Sequence, residues 1–256
     1  MDLNIAEKVA LVTGASSGLG EACALALAGE GVRVAIAARR ERELERVAGA
    51  AREAGSPDAR AFVVDLSDSS SIDRLLRDVH EQFGRVDILI ANGGGPKPGT
   101  VTQTSPADWD AAYRAILRSM LQLVDGVVGG MRERRWGRVV ALTSTSVKQP
   151  IPQLALSNIF RTALVSALKT LAGEVAQDGV TVNAIATGRI ETARLRSLYG
   201  DDDAALARAG SEVPIGRIAR PKELAPLVAF LCGEPARYIT GQTIAVDGGL
   251  ISGLFG

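Results

Sequence analysis

Three glycines at fixed intervals, Gly14, Gly18 and Gly20 in VTGASSGLGEA, are the first residues whose spacing implies chemistry. Gly14 allows a sharp turn, Gly18 removes a Cβ where a backbone must approach a ligand, and Gly20 lets a helix pack closely on a strand. Free N–H groups at the start of that helix would make an anion site. A second candidate group is Ser157 with Arg161 in ALSNIFRTALVSALKTLAGE. Residues four apart share a helix face, but that spacing suits an ordinary surface pair as well as a working one.

Positioning these groups requires a scaffold, and the hydropathy pattern supplies one. Short, nearly continuous apolar runs occupy Lys8–Gly14, Val32–Ala38, Arg60–Asp65, Val86–Asn92, Gly137–Ser144, Val180–Ala186 and Gln242–Gly249. Strands covered on both faces read this way, which implies a parallel sheet between helices. Helical patterns fill Gly18–Glu30, Glu41–Ala54, Ser69–Phe83, Pro106–Arg134, Leu154–Ala176 and Pro221–Cys232. Ser105 and Pro106 form a cap followed by proline at the first helical position. The alternation predicts one doubly wound α/β domain over residues 1–256, with a seven-stranded parallel sheet and helices on both faces. The polar stretch Arg189–Gly216 reads as a lid near the carboxyl edge of the sheet, where ligands of such folds bind.

Composition narrows the possible partners. Of the 256 residues 46% are hydrophobic, and 29 basic residues balance 29 acidic ones. A zero net charge gives no footprint for nucleic acid. The first residues lack a signal-peptide pattern, and no apolar run reaches the roughly 18 residues of a membrane span. The two cysteines, Cys23 and Cys232, suit a reducing, cytoplasmic setting and read as packing residues. His80 is the sole histidine, and the chain has no His/Cys cluster with metal-ligand spacing.

The order of motifs resembles the short-chain dehydrogenase/reductase family along nearly the whole chain. The matching pieces are TGASSGLG, VDILIANGGG, GRVVALTS, VTVNAIATGRIET and ITGQTIAVDGG. The resemblance implies a Rossmann-type fold and a nicotinamide dinucleotide, its phosphates held by Gly14, Ser16, Ser17, Gly18, Leu19 and Gly20. It also implies adenine contacts from Asp65 and Leu66, adenosine-side packing by Asn92, Gly93 and Gly94, and cover from Gly188, Ile190 and Thr192. The second strand ends in Arg39 and Arg40 without an acid. Planar cationic donors there suit a ribose 2′-phosphate, so NADP(H) is expected over NAD(H), although the same arginines also open a charged helix face. Ser16 and Ser17 could add hydroxyl donors.

The family's working centre is a serine, then a tyrosine and a lysine one helical turn apart, with an asparagine on the preceding long helix. Ser144 matches the serine, and the tyrosine and lysine positions fall on Ser157 and Arg161. The asparagine position falls on Ile116, and the family's Pro-Gly step reads Thr187-Gly188. Serine is far less acidic than a phenol of pKa about 10, and arginine stays protonated. The resemblance therefore implies an oxidoreductase of a carbonyl or secondary alcohol, 3-oxoacyl-like, with Ser144, Ser157 and Arg161 as its catalytic residues. Arg161 would also reach the nicotinamide ribose. Lys148, Lys97, Tyr199, Tyr113 and water stay open as proton sources. The alternative is a dinucleotide-binding protein without catalysis. The resemblance implies a small-molecule substrate and, since family members pair through their two long helices, a homo-oligomer, dimer or tetramer.

Overall fold

Each strand of the sheet divides its side chains between two layers, because consecutive Cβ atoms point to opposite faces. In β1 (Val9–Thr13), Ala10 and Val12 enter one hydrophobic layer while Val9 and Leu11 enter the other. The same split recurs in β4 (Ile88–Ala91) and β5 (Gly137–Leu142): Ile88, Ile90, Val140 and Leu142 face one way, and Leu89, Ala91, Val139 and Ala141 the other. Both faces are covered, so the runs are continuously apolar. The computed structural model describes residues 1–254.

The remaining strands are β2 (Arg33–Ala38), β3 (Ala59–Val63), β6 (Val180–Thr187) and β7 (Thr243–Val246). The sheet order is β3-β2-β1-β4-β5-β6-β7, and every pairing is parallel. One layer is filled from α1 (Gly18–Gly29) by Leu27, from α2 (Glu41–Ala54) by Leu44 and from α9 (Pro221–Cys232) by Val228 and Leu231. The other takes Leu75 from α3 (Ser69–Phe83), Leu123 from α5 (Ser119–Glu133) and Leu164 from α6 (Ala155–Val175). Burying one such side chain contributes about 1.5–3 kcal/mol. Cys23 and Cys232 are both buried, and burial pushes the Cys23 thiol up to about 12 and raises that of Cys232 as well.

Two expected elements are subdivided. The helix expected over Pro106–Arg134 is α4 (Pro106–Ala112), a π-helical turn over Tyr113–Arg118, and then α5. The Ser119 hydroxyl, just past this wider turn, donates to the carbonyl of Ala115 at 2.8 Å. The stretch 189–216 contains two short helices, α7 (Ala193–Leu198) and α8 (Asp203–Ser211). Among the described residues no helix is long and apolar enough to cross a membrane, and no group of His, Cys, Asp and Glu could hold a metal.

The chain leaves β1 toward one neighbour, β2, and later returns to β4 on its other side. Loops after β1 and β4 thus diverge at the carboxyl edge and open a crevice at this topological switch point.

Candidate active site

The crevice is knit together at its base by β1 and β4. Thr13 Oγ1 donates to the Asn92 carbonyl at 2.7 Å and accepts from the Asn92 N–H at 3.0 Å. The Asn92 amide donates in turn to the carbonyls of Thr13 and Gly14, both at 3.2 Å. Gly14 has a φ of +60°, and a Cβ there would lie 2.7 Å from Asn92 Nδ2. The turn therefore requires glycine both for its left-handed backbone and for its space. Gly20 packs its α-carbon directly on the Gly14 carbonyl, where any Cβ would collide.

The helix that follows is left open at its start. Ser17 precedes α1 but makes no side-chain cap, whereas α3, α4, α7 and α8 each begin with a side chain accepting from a first-turn N–H. Uncapped N–H groups carry the positive end of the helix dipole. Across the loop, the Arg40 guanidinium donates to Ser16 Oγ at 3.1 Å and to Ser17 Oγ at 3.0 Å. Arg40 itself is exposed. Arg39, also exposed, helps hold Asp65 below the usual carboxylate range; the larger cause is the hydrogen bonding of Asp65 by the N–H and hydroxyl of Ser67. Leu66 lies against Gly93, 3.5 Å from where a Cβ would stand, and Gly94 has open space around it.

The far wall comes from β6 and the segment after it. Gly188 abuts Asp247 so closely that a Cβ would meet its α-carbon at 2.5 Å. Ile190 is buried in the core and pairs through backbone with Ala219. Thr192 caps α7, accepting from the Leu195 N–H at 3.1 Å, and its methyl lies 3.3 Å from a Cβ built on Gly18. Of the three residues expected to cover the ligand, Thr192 thus lies against the glycine loop.

At the end of β5, Ser144 is half-exposed, and its hydroxyl accepts from the Ser146 N–H at 3.2 Å. Ser157 is buried, 6% exposed, and its hydroxyl partner is Ser146, 3.5 Å away, not Ser144. Ile116 is buried with Ala112 and Leu156, so this corner of the site is apolar. Arg161 donates to the carbonyls of Leu142 at 3.2 Å and Gly94 at 3.4 Å, bridging the ends of β5 and β4. Burial, with a smaller contribution from Arg194, lowers its pKa to about 10, so it remains a cation at neutral pH.

Of the expected proton sources, Tyr199 is half-buried at the end of α7. Lys97 is exposed and paired with Asp108 at 3.1 Å, and Tyr113 is exposed against the Phe160 ring. Lys148 ends the short helical turn that starts from Ser144 and is half-buried. Sequence reasoning missed Thr13, Ser146 and Arg194. Thr13 closes the first strand and Ser146 lies within the quoted TSTS run, but nothing in the sequence separates Arg194 from the other arginines around it.

The fold and this crevice are those of the short-chain dehydrogenase/reductase class. A family model described as enoyl-(acyl carrier protein) reductase matches residues 14–251, and the chain belongs to the short-chain dehydrogenase/reductase family. It is 33% identical over 248 residues to 3-oxoacyl-[acyl-carrier-protein] reductase FabG of Escherichia coli, covering 97% of this chain and 99% of that one. It is 34% identical to dehydrogenase/reductase SDR family member 4 of Bos taurus, covering 96% of this chain and 88% of that protein. The structure of L-sorbose reductase from Gluconobacter frateurii complexed with NADPH and L-sorbose superposes with a TM-score of 0.94. Identity is 33%, covering 99% of this chain and all of that one. These relatives are oxidoreductases, and the chain is an oxidoreductase of the same type, acting on a ketone or alcohol.

Proposed function

We infer that the protein is an NADP(H)-dependent oxidoreductase of a carbonyl or secondary alcohol, 3-oxoacyl-like, with Ser157 and Arg161 standing in for the family's tyrosine and lysine. The observation that carries the cofactor reading is the convergence of Arg40 on Ser16 and Ser17. A guanidinium and two hydroxyls at the tip of β2 make a donor cluster for a 2′-phosphate, with no acid to prefer a free 2′-hydroxyl. The uncapped start of α1 fits a pyrophosphate. A complex of the L-sorbose relative with NADPH adds to this reading.

When bound, the nicotinamide supplies or accepts a hydride at the reacting carbon. The chain's own part is to hold that carbon in line and to manage charge on the oxygen. Positioning of this kind can contribute on the order of 7–11 kcal/mol. Ser144 is the half-exposed hydroxyl at the end of β5 and would orient the substrate oxygen. Arg161 places a permanent cation between the ends of β4 and β5, toward the nicotinamide ribose. Ser157 is tied in through Ser146, so the proton on the alcohol oxygen would come from water, Lys148 or Tyr199. Losing a dedicated general acid costs typically 10²–10⁴-fold, which predicts a slow enzyme.

A second reading is a dinucleotide-binding protein without turnover. The apolar packing of Ile116 against Leu156, where the family carries a polar group, favours it. Calorimetric titration with NADPH and then NADH tests the cofactor half. Binding of neither would remove both readings. Substrate-dependent NADPH oxidation that tracks the pure protein, with kcat lowered at least tenfold in Ser144→Ala, would leave the enzyme alone standing.

A further inference from the structure

The segment 189–216 holds four arginines, and three of them are neutralised. Arg189 meets Glu212 at 2.6 Å, Arg196 meets Asp203 at 2.8 Å, and Arg208 meets Asp202 at 4.0 Å. Arg194 meets no carboxylate among the described residues. It is half-buried, donates to the carbonyl of Pro96, and lies across Gly95, where a Cβ would stand 2.9 Å from its Cζ. Arg161 reaches the same strand exit through Gly94, and it too has only carbonyl partners. Two guanidiniums thus bracket residues 94–96 with no anion between them, close enough for Arg194 to depress the Arg161 pKa.

Half-buried cations without a counter-charge cost solvation energy that a folded protein ordinarily offsets by pairing. On the cofactor reading above, the phosphates do not fill this role. They belong to the start of α1, where Thr192 packs on Gly18; Arg194, two residues further on, reaches instead to the exit of β4. Gly95 leaves the room that lets the guanidinium lie flat there. Planar forked donors suit a carboxylate, and they discriminate by charge as well as by geometry.

We propose that Arg194, with Arg161 adding its charge, is a carboxylate-binding subsite, and that the substrate is an oxo acid or hydroxy acid with a free carboxylate. This rests on the oxidoreductase reading above and narrows its substrate class. Arg194 lies on the short helix α7, so the subsite belongs to the lid.

The test is calorimetry on the full chain saturated with NADP⁺, which binds substrate without turnover. The probes are short straight-chain 2-oxo, 3-oxo and 4-oxo monocarboxylates, each beside its methyl ester, and inorganic phosphate. At least one acid should bind, with its ester at least tenfold weaker. Arg194→Met should weaken that acid about tenfold, Arg194→Lys should restore part of the loss, and NADP⁺ affinity should stay within twofold in both. The proposal falls if no acid is preferred to its ester or if Arg194→Met leaves acid binding unchanged. It also falls if phosphate binds more tightly than every acid, or if NADP⁺ weakens as much as the acid does. Should the chain bind no dinucleotide, the cofactor reading fails separately. The same acids titrated into the chain alone then still decide whether Arg194 recognises a carboxylate.

Discussion

Arg40→Ala should separate the two nicotinamide cofactors. In the wild-type chain the Arg40 guanidinium sits 3.1 Å from Ser16 Oγ and 3.0 Å from Ser17 Oγ, so a 2′-phosphate placed there would meet one cation and two hydroxyls. A hydrogen bond to a charged group contributes about 1.5–3 kcal/mol net. Arg40 is exposed, which puts its share at the lower end, about 1.5 kcal/mol. With each tenfold in affinity equal to about 1.4 kcal/mol, the NADPH Kd should rise about tenfold while that of NADH stays within twofold. Ser16→Ala in the same background should add a smaller loss, about 0.5–1 kcal/mol for a neutral partner. Salt offers a second reading of the same contact. Screening over a Debye length of about 10 Å at 0.1 M should narrow the wild-type preference for NADPH as ionic strength rises, and should have little left to narrow in Arg40→Ala. Calorimetric titrations at two salt concentrations measure all of this. Equal weakening of NADPH and NADH would refute the reasoning, since Arg40 would then serve only to order the Ser16–Ser17 loop.

Other perturbations test the crevice and the lid. Gly14→Ala forces a Cβ onto a left-handed residue and against the Asn92 amide; a penalty of at least about 1–2 kcal/mol should lower the Tm by several degrees and weaken both dinucleotides, as melting curves and titrations would record. At the start of α9, Arg217 and the Arg220 N–H hold the Glu223 carboxyl at about 2, below its ordinary 4.5. A depressed carboxylate stabilises the fold fully above its unfolded pKa and loses that contribution as pH falls toward the folded one. The Tm of the wild type should therefore fall between about pH 4.5 and 2 more steeply than that of Glu223→Gln, which thermal melts over that range would show. Light scattering should find a homo-oligomer; a monomer would remove the expectation drawn from the two long helices.

The glycine spacing, the both-face-buried strands and the order β-α-β-α were legible because they are local. A residue's period along the chain decides which layer it enters, and Leu89 or Ile90 needs no distant information to be apolar. Arg40 and Ser16 were legible as types and as candidates, but their meeting depends on β2 lying beside β1. The break in the long helix at Tyr113–Arg118 was not legible, because its residues carry an ordinary helical pattern. Ser157 was placed by spacing from Ser144, yet its neighbour is Ser146, since the turn after β5 and not the sequence interval fixes which hydroxyl faces the helix.

The sequence by itself determined the family, the sheet and the glycine turn after β1, because each is written in local patterns that recur along the chain. The tertiary structure alone decided which charges are neutralised. Arg189, Arg196 and Arg208 find acids within their own segment or its edge, while Arg194 is turned toward residues 94–96 and finds none. Pairing of charges is settled by distance in space, and four arginines of one type in one stretch carry no sign of it until the chain is folded.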